Sequence, residues 1–289
     1  MPIVHRTTVS FVAWSSRRAA ARYHGDVAAA PGMLDFAVNI RHDSPPRWLV
    51  EMLSSRLFEL GRYPSDDGPA RAAVALRHGR QPEEVLPLAG AAEGFALLTQ
   101  LRPKRAAVIA PAFTEPEAVL TGAGIDVAHV VLPPPFGLIA ADVPDTADLV
   151  VVGNPTNPTA VLHAREQIRR LRRPGRLVVV DEAFADAIPG EPESLAGEPL
   201  PDVLVLRSLT KTWSLAGLRV GYGLGAPEVL RRLTAARSAW PLGTLQLAAL
   251  EACCAPEAVA EAAAGAHRLA AMRTEFVAAL TARGVLVVN

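Results

Sequence analysis

Lysine is nearly missing from this 289-residue chain: only two of its 29 Lys and Arg side chains are lysine, Lys104 and Lys211. Cysteine is as scarce, and the two present, Cys253 and Cys254, are adjacent. Neighbours of that kind form no ordinary structural bridge and have no metal-ligand spacing, which fits a reducing cytoplasm. Net charge is absent too, formally zero with a pI near 7.1, so no electrostatic pull toward nucleic acid or an anionic membrane surface is expected. The first 20 residues lack the continuous apolar core of a signal peptide, and no run is long enough to span a bilayer. Repeats and low-complexity tracts are absent as well.

What is present suits an α/β enzyme. Half of the residues are hydrophobic, and the length allows one large domain plus part of a second. Continuous apolar runs at Leu149–Val152, Leu177–Val180 and Val203–Leu206 read as buried parallel strands. They alternate with helical stretches such as Arg165–Arg172 and Pro227–Arg237, which argues a mostly parallel sheet covered by helices. The domains expected are an N-terminal arm over residues 1–45, a large domain over 46–254, and, over 255–289, a linking helix with the start of an incomplete small C-terminal domain. In the last, Val259, Leu269, Met272, Phe276 and Leu280 recur at near-helical spacing and predict one long helix from 256 to about 282. Glu191 to Pro201 reads as a loop.

Where arginine serves for charge almost everywhere, a retained lysine invites a chemical reason. Guanidinium keeps its proton and its nitrogens are poor nucleophiles, so an amine that must form an imine has to be lysine. Lys211 lies in Ser208-Leu-Thr-Lys211-Thr-Trp-Ser-Leu-Ala-Gly-Leu-Arg219-Val-Gly-Tyr222. This string resembles the lysine segment of the pyridoxal-phosphate (PLP) aminotransferases of classes I and II. The resemblance implies the PLP-dependent transferase fold, with a mostly parallel seven-stranded sheet, an N-terminal arm and a small C-terminal domain. It implies that Lys211 holds PLP as a Schiff base and that Ser208 and Arg219 bind its phosphate. A hydroxyl with a guanidinium fork is a fitting answer to a dianion.

The resemblance extends upstream. Asp181, in Asp181-Glu-Ala-Phe184 at the end of a strand run, would pair with the pyridine nitrogen and keep the ring an electron sink; alone, it also reads as a helix cap. Asn157, in Asn154-Pro-Thr-Asn157-Pro-Thr-Ala160, would bond the phenolic oxygen, with Ala160 where the family has glycine; alone, this is a Pro-rich turn. Gly90, Ala91 and Ala92 match the segment whose backbone N–H groups cradle the phosphate. Many relatives carry a hydroxyl or acid at the position of Ala92. Phe113 matches the aromatic stacked on the ring and reads equally as a core residue. Tyr63, in Gly61-Arg-Tyr63-Pro64, matches a tyrosine that reaches a partner subunit's phosphate, which implies a homodimer; its other reading is a turn residue.

Two features point to a branch. Tyr23-His24-Gly-Asp26 with Leu34-Asp-Phe-Ala-Val-Asn39-Ile40, and Phe184 in place of the usual tyrosine, resemble the L-threonine O-3-phosphate decarboxylases of cobalamin biosynthesis. These are cousins of the histidinol-phosphate aminotransferases. The first expectation is therefore decarboxylation of a small phosphorylated amino acid. The alternatives are amino transfer from histidinol phosphate to 2-oxoglutarate, and PLP binding with little catalysis. His24, Asn39 and Arg41 are candidates for the substrate, with His42 weaker; each also reads as a solvated surface residue. Relatives carry a C-terminal arginine that grips the substrate carboxylate, and no residue here matches it. The expectation is a truncated or shortened chain that retains PLP binding.

Overall fold

The computed structural model describes Gly32 and residues 38–287, apart from Ser65. The candidate His24 and the Tyr23–Asp26 segment lie outside the described residues. The compact unit begins at Asn39.

Its centre is a seven-stranded sheet in the order β1-β7-β6-β5-β4-β2-β3. The strands are β1 (Val85–Leu88), β2 (Arg105–Ala110), β3 (Asp126–Val131), β4 (Leu149–Gly153), β5 (Leu177–Asp181), β6 (Val203–Ser208) and β7 (Gly221–Leu224). β7 runs antiparallel to both its neighbours, β1 and β6; the other pairings are parallel. The apolar runs of β4, β5 and β6 are continuous because both faces of the sheet are covered. Val150, Val152, Val178, Val180, Val203 and Val205 point into one core, and Leu149, Val151, Val179, Leu204 and Leu206 into the other.

Helices α3 (Ala91–Leu97), α4 (Glu115–Gly122) and α6 (Pro227–Leu233) close the second core through Phe95, Leu120, Leu230 and Leu233. The first is closed by α1 (Arg47–Ser55), α2 (Gly68–His78), α5 (Arg165–Arg169), α7 (Thr244–Cys253) and α8 (Pro256–Thr281). Two helices are shorter than their periodicity suggests. α5 yields to Pro174-Gly175, which the backbone cannot continue through as helix. α6 ends where Thr234 Oγ1 bonds back to the Leu230 and Arg231 carbonyls.

The single long helix α8 matches its expected span, but its packed face differs from the large-apolar spacing. Ala258, Ala262, Gly265 and Ala266 are buried, while Met272 and Phe276 are exposed. Small residues are required there because α8 lies against the turn Ala185–Ala187 and Arg41. Among the described residues, no helix is long and apolar enough to cross a membrane.

Candidate active site at the carboxyl ends of the strands

Strand registers put the candidate residues in one row. Leu88 faces Gly221, Ser208 faces Gly221, Asp181 faces Leu206, and Gly153 faces Asp181. The parallel strands all end along this edge, where open α/β sheets present ligand contacts. The turns leaving them carry Gly90–Ala92 after β1, Phe113 after β2, Asn157 after β4, Asp181 at the end of β5, and Ser208 and Lys211 at the end of β6. Arg219 enters β7 beside them.

The lysine turn is tightly held. Trp213 N–H donates to Leu209 O (3.2 Å) and Leu215 N–H to Thr210 O (3.1 Å). The segment preceding α1 straps it from outside: Arg41 N–H donates to Lys211 O (3.0 Å), and Ser214 Oγ donates to His42 O (2.6 Å). Lys211 Nζ stands 5.7 Å from the Phe184 ring centroid, within cation–π range. Ser208 is buried with its hydroxyl 2.7 Å from Thr210 Oγ1. Arg219 is exposed, has φ 60, and donates to Ala216 O (3.2 Å). A non-glycine residue in this left-handed region is held there by its surroundings.

Gly90 has φ 81, and a Cβ added to it would lie 3.0 Å from Arg219 Nη2. Glycine thus lets β1's turn and the arginine converge. Behind it, Glu93 Oε2 accepts from Ala89 N–H (2.6 Å) and from Arg237 (2.8 Å), which pins the turn to the segment following α6. In the Asn157 turn, Asn154 and His163 exchange hydrogen bonds: His163 N–H donates to Asn154 Oδ1 (2.8 Å) and Asn154 Nδ2 to His163 O (3.1 Å). Ala160 closes this turn at φ 58, which explains why glycine suits that position. Phe113 leans on Phe95 at 6.4 Å between ring centroids. Tyr63 is 73 % exposed and stacks on Trp240 at 4.4 Å.

Asp181 accepts from Ala183 N–H (3.1 Å). Burial pushes its carboxyl up to about 6; the Ala183 N–H pulls it down, the adjacent Glu182 adds to the rise, and Lys211 opposes it. A cation placed against it would restore the carboxylate.

Arg41 has a structural task. Its guanidinium donates to Ala262 O (3.4 Å) and Asp186 O (3.2 Å), so it ties the entering chain to α8. Asn39 is exposed. Several residues that shape the site were not singled out by any motif: His163, Arg237, and a group of buried ions comprising Arg77, Asp186, Arg207 and Glu182, the last inside the Asp181–Phe184 segment but given no role there. The only sequence signal for that group was an arginine ending an otherwise apolar strand.

The sheet order, with one antiparallel strand and a lysine turn between β6 and β7, defines the PLP-dependent transferase fold. The model of the family "Aminotransferase class I and II" matches residues 32–289, and the chain belongs to that family of PLP-dependent enzymes. It is 68% identical over 277 residues to a histidinol-phosphate aminotransferase of Mycobacterium tuberculosis, covering 95% of this chain and 76% of that one. It is 30% identical over 228 residues to the threonine-phosphate decarboxylase of Salmonella typhimurium, covering 74% and 62% respectively. Among solved structures, the histidinol-phosphate aminotransferase from Clostridium acetobutylicum superposes with a TM-score of 0.79 at 21% identity, over 86% of this chain and 77% of that one.

The residues fit PLP. The glycine turn leaves room beside Arg219, the Ser208 hydroxyl and the Arg219 guanidinium suit a phosphate dianion, and the half-buried Asp181 carboxyl suits a protonated ring nitrogen.

Proposed function

We propose that this enzyme transfers the amino group of histidinol phosphate to 2-oxoglutarate. The observation that carries this reading is the 68% identity, over 95% of the chain, to a protein bearing that activity's name. It displaces decarboxylation of threonine phosphate as the first expectation, since the decarboxylase relative stands at 30%. The decarboxylase reading keeps one local observation, the ring of Phe184 beside Lys211 where a tyrosine is usual.

When bound, PLP supplies an electron sink that stabilises negative charge at the substrate's Cα. In this proposal Lys211 Nζ holds the cofactor and moves the Cα proton. Asp181, ionised against the pyridine nitrogen, keeps that nitrogen protonated. Ser208, Arg219 and the backbone N–H groups of Ala91 and Ala92 hold the phosphate. Gly90 leaves room for it. Asn157 bonds the phenolic oxygen, and Phe113 stacks on the ring. The exposed Tyr63–Trp240 pair is the face proposed for a second copy of the chain. Tyr63 would there reach the partner's cofactor phosphate.

One competition assay tests the chemistry. PLP-loaded protein is incubated with histidinol phosphate, L-threonine phosphate and 2-oxoglutarate, and products are identified by mass spectrometry. Imidazole-acetol phosphate with glutamate is the expected outcome. Aminopropanol phosphate in its place would overturn it in favour of the decarboxylase.

A further inference from the structure

Three of the proposed cofactor residues share an unusual property: a residue adjacent in the chain belongs to, or bonds, one buried ion cluster. Glu182 follows Asp181, Arg207 precedes Ser208, and Thr212 follows Lys211. Successive side chains of a strand point to opposite faces. Asp181 and Ser208 can therefore serve the ligand edge while their neighbours reach behind the sheet.

The cluster is closely connected. Arg207 Nη1 donates to Glu182 Oε2 (2.9 Å) and Glu191 Oε2 (2.6 Å), and its Nη2 donates to Asp186 Oδ1. Asp186 Oδ1 also accepts from Arg77 Nη2 (2.7 Å), and its Oδ2 accepts from Thr212 Oγ1 (3.0 Å). Glu182 is completed by Ser194 Oγ (2.6 Å) and Leu195 N–H (2.8 Å). Glu191 reaches in from a backbone at φ 46, a strained conformation that its two arginine contacts hold. Arg207, Glu182 and Asp186 are among the most buried polar residues. Burial would lift Asp186, but Arg77 and Arg207 outweigh it and keep the acid ionised.

Apolar residues of similar volume would commonly serve stability as well or better than buried ions. Directional bonds add something that apolar contacts lack, a fixed geometry between elements. Here the elements are the end of β5, the end of β6 and the lysine turn. We propose that the Glu182–Arg207–Asp186–Thr212 chain is a positioning device that sets Lys211 against Asp181. This rests on the cofactor roles proposed above for those two residues. Thr212 is its last link, one hydroxyl from the cluster and one residue from the lysine.

Thr212→Val removes that link with little change of shape, and Thr212→Ser retains it. Two measurements apply. The first is the pH titration of the lysine-bound cofactor's absorbance, together with PLP retention. The second is amide hydrogen exchange of residues 181–186 and 208–213 in protein stripped of PLP. Thr212→Val is expected to move the absorbance midpoint by about half a pH unit, to weaken PLP retention roughly tenfold, and to raise exchange in both segments together. Thr212→Ser is expected to restore all three. An unchanged midpoint and unchanged exchange at 181–186 in Thr212→Val would overturn the proposal, whatever the melting temperature did. Lys211→Ala separates the two levels: if the absorbance band survives in that variant, the cofactor assignment fails, while the exchange measurement still decides whether the cluster couples the two segments.

Discussion

The two ends of the same sheet are built on different plans. At the amino ends of β4, β5 and β6 a cleft of about 260 Å³ is lined by charged residues whose bonds are turned inward. Arg176 is buried and donates to three carbonyls, of Ala147 (2.8 Å), Leu171 (3.0 Å) and Pro144 (2.8 Å). Asp148 accepts from the N–H groups of Lys104 and Arg105, and Asp202 pairs with Arg172. At the carboxyl ends the backbone is strained at Ala160, Ser214 and Arg219, and an acid is raised by burial. One end spends its polar groups on the fold. The other gathers three such left-handed residues beside the raised acid, the expected signature of a ligand site, although Arg102 before β2 is also left-handed, at φ 50.

Breaking each end should therefore fail in a different way. Lys211→Ala is the largest expected effect: turnover lost by at least about 10³-fold, with the melting temperature of cofactor-free protein nearly unchanged, because one side chain's covalent and proton-moving roles vanish together. Arg176→Met is the counterpart at the other end. Three buried carbonyls lose their donor, at about 1 kcal/mol each, so denaturant unfolding should show roughly 3 kcal/mol of destabilisation. Turnover per folded molecule should stay at the parent value. A large turnover defect there would erase the contrast between the ends.

Asp181 sharpens the comparison through pH. Its carboxyl titrates near 6 in the fold, above its ordinary value of 3.8. The folded state then holds a proton that the unfolded chain releases, so this group's contribution to stability falls as pH rises from about 4 through 6. Asp181→Asn should remove that slope and raise the stability of cofactor-free protein at pH 7 by about 3 kcal/mol. It should also weaken PLP retention. Melting curves between pH 4 and 8 in both proteins provide the check; parallel curves would mean that the carboxyl is not raised.

Much of the carboxyl edge was legible because it is local in sequence. The Ser208–Tyr222 string, Asp181 and the Asn157 turn each sit in a few consecutive residues, and the valine runs announced both the strands and their double-sided burial. The ion cluster was not legible, since Arg77, Glu182, Asp186, Glu191 and Arg207 come from distant segments and meet only when β5, β6 and α2 pack. The contacts of Arg41 were not legible for a related reason: nothing in its neighbourhood announces that the Ala262 carbonyl of α8 will stand within its reach. In α8 the large apolar residues showed the helix but not its packed face, because they mark a core only when the neighbour is far enough away. Here Gly265 and the alanines mark the contact instead.

The smallest expected effect concerns Ala160, and it tests whether strain at the carboxyl edge is a cost. Its φ of 58 is a conformation that costs a residue with a Cβ about 1 kcal/mol, and its N–H is committed to Thr156 O (2.7 Å), so the turn cannot relax by losing the bend. Ala160→Gly removes the clash but gives the unfolded chain more freedom, which returns about half of the gain. The net should be a few tenths of a kcal/mol in favour of the fold, a rise of about 1–2 °C in melting temperature for a chain of this size. Gly90→Ala is the mirror image, adding a Cβ at φ 81 against Arg219, and should cost about 1–2 kcal/mol and roughly tenfold in PLP retention. If Ala160→Gly lowered the melting temperature, the turn would be gaining more from its Cβ contacts than it loses to strain. The carboxyl edge would then be built for stability after all.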